Sequence, residues 1–222
     1  MAIFGAGPVG LLSAYCSVLK GASEIYVVDS IPERLAKAKE LGATPVDFSK
    51  SDPVEQIFDL RKKNKGIQQG LRPGEEKMKG VDCAIDAVGY QARSDHNPDK
   101  ENPTQVLENC VRVVNATGSM GMIGVYIAPD PGAKSEHAKK GIFRFAVTEF
   151  FDKGITMGSG QAPVKKYNEY LRDLIVNGRA KPSKIISHRI QIDQAPDAYE
   201  KFDQRMDGYT KVVIRLGKAK AA

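Results

Sequence analysis

The chain has 222 residues, of which 41% are apolar and 27% charged, enough for one large domain or one domain plus part of another. No apolar run approaches the ~18 residues of a membrane span, and the opening MAIFGAGPVGLL lacks the basic flank of a signal peptide. The charge of +6 comes from dispersed basic residues without interleaved aromatics, which reads as a solvated surface and argues against a nucleic-acid groove.

Ala2-Ile3-Phe4 reads as a short buried strand, followed by glycines and a helix from about Pro8 to Lys20. Ile25 to Val28 form a second apolar strand that Asp29 ends. Pro32 opens a helix with Leu35, Ala38 and Leu41 on one face, and Gly42 stops it. Thr44 to Phe48 is a third strand, and Asp52-Pro53 begins a helix that runs into a polar surface loop, Lys62 to Lys79.

Val81 to Asp86 is the fourth strand and Ser119 to Val125 the fifth. A polar loop (Gln91 to Asn102) and a helix from about Pro103 to Val114 lie between them. An irregular segment, Ala128 to Gly141, precedes a sixth strand at Ile155 to Met157. Pro163 then opens an amphipathic helix with Val164, Tyr167, Leu171, Leu174 and Ile175 on one face and Gly178 at its end.

Apolar strands alternating with helices predict a parallel sheet covered on both faces, and right-handed crossovers make it a doubly wound, six-stranded Rossmann sheet. The rhythm breaks after Pro182 into a strand (Ile185 to Ser187), a helix (Ala195 to Gln204) and a strand (Lys211 to Leu216). The expected division is therefore 1–182 for the nucleotide-binding domain and 183–222 for a different structural unit.

Gly5-Ala6-Gly7-Pro8-Val9-Gly10 fits G-x-G-x-x-G. The pattern is informative here because it directly follows a strand and opens a helix. Gly5 permits the tight turn, Gly7 lets backbone approach a pyrophosphate, and Gly10 lets the helix pack on the strand. The helix N-terminus supplies free amides and positive potential to the phosphates. Asp29 stands 19 residues beyond Gly10 at the end of the second strand, where a carboxylate accepts bonds from ribose hydroxyls and repels a 2′-phosphate. NAD is therefore expected over NADP, with Arg34 stacking on adenine rather than pairing a phosphate. Small residues at the fourth and fifth strand ends, Ala87-Val88-Gly89 and Gly124-Val125, are expected to leave room for a flat ring.

Cys16, Cys83 and Cys110 form no CxxC pair and have no histidine at ligand spacing. Buried thiols in a reducing, cytoplasmic compartment are expected, with no disulfide framework and no structural zinc. None of the eight tyrosines has a lysine four residues later, which excludes the Tyr-x-x-x-Lys chemistry of short-chain dehydrogenases.

The runs GAGPVGLL, VVDSIPERLAKAKELGA, CAIDAVGYQAR, ENPTQVLENCVRVV, APDPGA and GQAPVKKYNEYLRDLI resemble medium-chain, zinc-dependent alcohol dehydrogenases, in particular the glutathione-independent formaldehyde dehydrogenase branch. The resemblance covers nearly the whole chain. It implies that Pro8 and Val9 lie against the pyrophosphate and that Asp29 and Arg34 hold the adenosine. It further implies that Val88 and Arg93 flank it, that Gly124 and Val125 approach the nicotinamide, and that Gly160 and Gln161 lie in the same region. His96 is off by one from a histidine of that branch and is left out.

In that family the zinc ligands come from a domain preceding the glycine motif. With the motif at residue 5, the resemblance implies a chain lacking that GroES-like catalytic domain, and with it zinc ligands and catalytic residues. The segment after Pro182 is then its closing piece. The apolar face of that segment (Ile185, Ile190, Ile192, Tyr199, Phe202, Val213) is expected to lose part of its cover. His96, His137 (read in a loop) and His188 have no partner at ligand spacing. The reading is the NAD-binding portion of an alcohol or formaldehyde dehydrogenase, inactive alone. The family's partners would be a small alcohol or aldehyde and further copies of the chain in a homo-oligomer. The alternative is a free-standing NAD-binding module with a separately encoded partner.

Overall fold

The computed structural model describes residues 1–64, 79–126 and 136–217. Most of the polar stretch after Lys62, the APDPGA run, and Lys218 and Lys220 lie outside them. The main sheet holds β1 (Ala2–Phe4), β2 (Tyr26–Asp29), β3 (Thr44–Asp47), β4 (Val81–Asp86), β7 (Val114–Met122) and β8 (Thr156–Ser159). Its strands run parallel in the order β3-β2-β1-β4-β7-β8, the reversal at β1 that defines a doubly wound sheet.

β1 is central, pairing Ile3 with Val27 on one side and with Ile85 on the other. Its alternating side chains enter two cores. Phe4 joins Val46, Ile57, Val111 and Val113 on the face covered by α3 (Pro53–Lys63) and α4 (Gln105–Val113). Ile3 joins Leu11, Ala14, Val27 and Ala38 on the face of α1 (Pro8–Leu19) and α2 (Pro32–Glu40). The first three helix starts are observed as expected: Pro8, Pro32 and Pro53 sit at the first turns, and Asp52 caps α3 by accepting from the Val54 and Glu55 amides at 2.8 and 3.2 Å, whereas α4 begins at Gln105, two residues after Pro103. Gly42, at φ +94°, closes α2.

Several elements depart from the sequence reading. The polar segment 91–102 is a hairpin of β5 (Arg93–Ser94) and β6 (Asn97–Glu101). Its strands, half-buried in β5 and mostly exposed in β6, carry no apolar alternation to announce them. β7 begins at Val114 rather than Ser119. The register shifts between the Val81–Val114 and Cys83–Ser119 pairs, where Thr117 stands at φ +62°, and residues 115–118 carry no apolar run to announce the strand. Two short helices, α5 (Glu136–Lys139) and α6 (Val147–Asp152), occupy ground read as irregular or left unassigned, and α5 puts His137 in a helix.

α7 (Val164–Val176) forms where expected, but only Leu174 is buried; Val164, Tyr167, Leu171 and Ile175 are exposed. After Pro182 the chain makes a short 3-10 turn in place of the expected strand. β9 (His188–Gln191) and β10 (Val212–Arg215) then form a separate parallel pair, with α8 (Ala195–Asp203) between them. Ile185 and Ile190 are buried, whereas Ile192, Tyr199 and Phe202 are exposed. The start of this segment is anchored to α1, where the Tyr15 hydroxyl accepts from the Lys181 amide at 2.8 Å. Cys110 is fully buried, but Cys16 and Cys83 are only half-buried. No helix among the described residues is long and apolar enough to cross a membrane.

Candidate cofactor site

The carboxyl ends of β1, β2 and β4 open onto a cavity of about 310 Å³, within the range of small-molecule sites. Gly5, Gly7, Pro8, Asp29, Arg34, Val88 and Arg93 all line it. The local folding is dictated by the glycines. Gly5 sits at φ +97°, a conformation that turns β1 sharply into α1 and that side chains disfavour. A Cβ on Gly10 would lie 1.8 Å from the Gly5 carbonyl oxygen, so α1 packs on the turn only through a bare backbone. A Cβ on Gly7 would meet nothing within 4 Å, because it would project into open space. Gly7 is also the N-cap of α1 and brings no side-chain acceptor, and the first turn holds no acid. The positive end of α1 thus faces the cavity with no cap or acid from its own first turn.

Asp29, 8% exposed, is tied into the same turn. Its Oδ2 accepts from the Ala6 amide at 2.7 Å, and its Oδ1 accepts from the Ser30 and Ile31 amides at 2.8 and 3.0 Å. Of about four acceptor directions on a carboxylate, one remains, on Oδ2. Arg34 Nη1 stands 4.0 Å from that oxygen, at the outer limit of an ion pair. Burial holds the Arg34 guanidinium below its ordinary pKa; Asp29 opposes this and Arg205 adds to it. Arg205 itself lines the cavity with Phe202 and Asp203, so the C-terminal segment reaches the site.

The remaining expected residues lie elsewhere. Val9 is half-exposed on the first turn of α1, and Gly10 lies beneath the turn. Gly124 and Val125 are at the β7 end, where Gly89 and Val125 form a bridge. The space their small size opens is taken by the neighbouring strand end. A Cβ on Gly124 would come within 2.2 Å of the Gly89 nitrogen, and one on Gly89 within 2.3 Å of the Val125 oxygen. Gly160 and Gln161 are exposed beyond β8 and do not border the cavity.

Asp86 organises that crevice. It is fully buried; Oδ1 accepts from the Val88 and Gly89 amides at 2.9 Å each, and Oδ2 from the Tyr126 hydroxyl at 2.8 Å. Its carbonyl accepts from Ile123 and Gly124 at 3.0 and 2.9 Å, fastening the ends of β4 and β7 together. Burial and the neighbouring carboxylate push the Tyr126 phenol well above its ordinary pKa. A polar residue closing an apolar strand is the signal that marks Asp86 in the sequence.

Sequence reasoning missed the far end of the cavity, lined by Phe48, Asp95, Gln105 and Asn109. The hairpin is docked there by the His96 amide donating to the Phe48 carbonyl at 3.1 Å. Among the described residues no group of three or more His, Cys, Asp or Glu side chains is gathered as metal ligands would be, so no donor set fits a zinc ion there.

This geometry defines a dinucleotide-type, doubly wound nucleotide domain. The family model for zinc-binding dehydrogenases matches residues 8–99. The chain is 37% identical to a glutathione-independent formaldehyde dehydrogenase of Bacillus subtilis over 91% of its own length and 46% of the relative's. It is 34% identical to a formaldehyde dismutase of Pseudomonas putida, over 91% and 48%. Among solved structures, an alcohol dehydrogenase from Thermus sp. ATN1 superposes with a TM-score of 0.69 at 30% identity, covering 96% of this chain and 50% of that one. Over nearly its whole length the chain is thus similar to zinc-type alcohol and formaldehyde dehydrogenases, and it spans about half the length of the curated relatives it matches.

Proposed function

We propose that this chain binds NAD(H) as the cofactor-holding portion of an alcohol or formaldehyde dehydrogenase. The observation that carries the reading is the single cavity shared by the Gly5–Gly7 turn, the open N-terminus of α1, and Asp29 at the end of β2. NAD supplies the hydride acceptor when bound. The chain's own residues would do the holding: the α1 amides beyond Pro8 take the pyrophosphate, Asp29 Oδ2 accepts from an adenosine ribose hydroxyl, and Arg34 and Val88 border the adenosine. Gly124 and Val125, beside the crevice that Asp86 fastens, would border the nicotinamide. A 2′-phosphate would meet the Asp29 carboxylate, which favours NAD over NADP.

The proposed substrate class is a small alcohol or aldehyde hydrate, a reading supported by relatives named as formaldehyde and alcohol dehydrogenases. Zinc belongs to the family, and no step is assigned to it in this chain, whose described residues hold no donor set for it. The 222-residue chain by itself is accordingly proposed to bind cofactor without turnover. A homo-oligomer is part of the reading, supported by the wholly exposed edge strand β8, which a second copy could pair.

NADH emission tests the reading. Saturable enhancement without dehydrogenase activity is expected. Absence of NADH binding, or turnover with one zinc per chain, would contradict it.

A further inference from the structure

Asp95 lines the cavity at the end away from the glycine turn, in the company of Gln105 and Asn109. Its carboxylate is fixed from one side. Asn109 Nδ2 donates to both oxygens at 3.1 Å, and Gln105 Nε2 donates to Oδ2 at 2.9 Å. These amides are themselves held: Gln105 Nε2 also donates to Asn109 Oδ1, which takes a further bond from Arg112 Nη1, and Arg112 is paired with Asp52 at 2.7 Å. Three bonds leave Asp95 one acceptor direction, on Oδ1. Burial, reinforced by Asp52, pushes its pKa above the usual carboxylate value, while the Asn109 hydrogen bond and the Arg112 and His96 charges oppose this.

Arg93, two residues earlier, lines the same cavity. Its Nη1 is engaged by the Asp99 carbonyl and Glu101, but its buried Nε–H has no partner among the described residues. Positions 93 and 95 thus bring a remaining acceptor direction and an unpartnered, buried N–H to the lining of one cavity. An adenine edge is the complement: an exocyclic amino group that donates, next to a ring nitrogen that accepts.

We propose that Asp95, with Arg93, reads the adenine edge of the cofactor, accepting from the 6-amino group. This makes the chain selective for an amino-purine dinucleotide over its 6-oxo analogue. The proposal rests on the cofactor reading above. In the 6-oxo analogue the amino donor is replaced by an oxygen, so two acceptors face each other. A pocket built around a hydrogen bond discriminates strongly against a ligand that leaves it unmade.

The test is calorimetric titration of the full chain with NADH and with nicotinamide hypoxanthine dinucleotide, reduced form. NADH is expected to bind at least about tenfold tighter. In Asp95→Asn the carboxamide turns a donor toward the base, so the ratio is expected to fall to near one or to invert. A purely structural role for Asp95 would weaken both ligands equally and leave the ratio unchanged. Equal binding of the two dinucleotides by the unmodified chain, with NADH binding intact, would overturn this assignment and leave the cofactor reading standing. Failure of both to bind would overturn the two together. Because the wild-type ratio decides the matter, the outcome does not depend on the variant folding.

Discussion

The Ala6 amide donates to Asp29 Oδ2 at 2.7 Å across 23 residues of chain, joining the glycine turn after β1 to the acid that ends β2. One carboxylate therefore fixes the phosphate-facing loop and presents its remaining acceptor direction to the cavity. Asp29→Asn should do two things at once. Its amide cannot satisfy all three backbone donors, so thermal unfolding should show a loss of about 1–3 kcal/mol. NADH affinity should fall by about tenfold while NADPH affinity falls less, since the charge that repels a 2′-phosphate is gone. Unchanged selectivity would remove Asp29 from the ribose site.

Two glycines of the motif should separate stability from binding. Gly10→Ala places a Cβ 1.8 Å from a backbone oxygen, so the chain should lose about 3 kcal/mol or more, or fail to fold. Gly7→Ala meets nothing within 4 Å and should melt close to wild type. It should nevertheless bind NADH at least about tenfold more weakly, because the methyl group would stand where backbone must approach the pyrophosphate. Parallel melting and titration of the two variants checks the contrast.

Much of this site is legible in the sequence because its parts are local. Gly5, Gly7 and Gly10 are spaced by the needs of one turn, and Asp29 is placed by the length of one helix and one strand. Asp86 is half-legible, as a polar residue ending an apolar strand, but its partner Tyr126 lies 40 residues away. Asp95 is not legible. Its role depends on a hairpin without apolar alternation and on amides from α4 that no spacing rule ties to it. The exposed face of α7 marks the opposite error: a clean helical period predicts which side is apolar, not whether anything covers it.

Tyr126→Phe should leave Asp86 Oδ2 buried without its hydroxyl donor. A cost of about 1–3 kcal/mol is expected by denaturant titration, with slackened contact between the ends of β4 and β7. Hydrogen exchange at the Ile123 and Gly124 amides, which bond the Asp86 carbonyl, should quicken in this variant. Unaltered exchange there would show that Tyr126 does not tension the crevice.

Asp52 gives the acid limb of stability a sign. Desolvation raises its pKa, but the Arg112 hydrogen bond and the Glu55 and Val54 amides outweigh it, leaving the carboxyl below its ordinary 3.8. A depressed acid stabilises the fold above its unfolded pKa and loses that contribution as pH falls through the folded value. Asp52→Asn should therefore be less stable than wild type at pH 7, by about 1 kcal/mol as for a helix cap. The gap should close as the pH drops below the 3.8 of an unperturbed aspartate. A gap independent of pH would show that the charge contributes nothing.

The central claim is that the cavity between the glycine turn and Asp29 is a NAD site. Its most direct test is calorimetric titration of the 222-residue chain with NADH and NADPH under identical salt. One saturable NADH site per chain is predicted, with NADPH weaker by about tenfold or more. Tighter binding of NADPH, or no saturable binding of NADH, would contradict it.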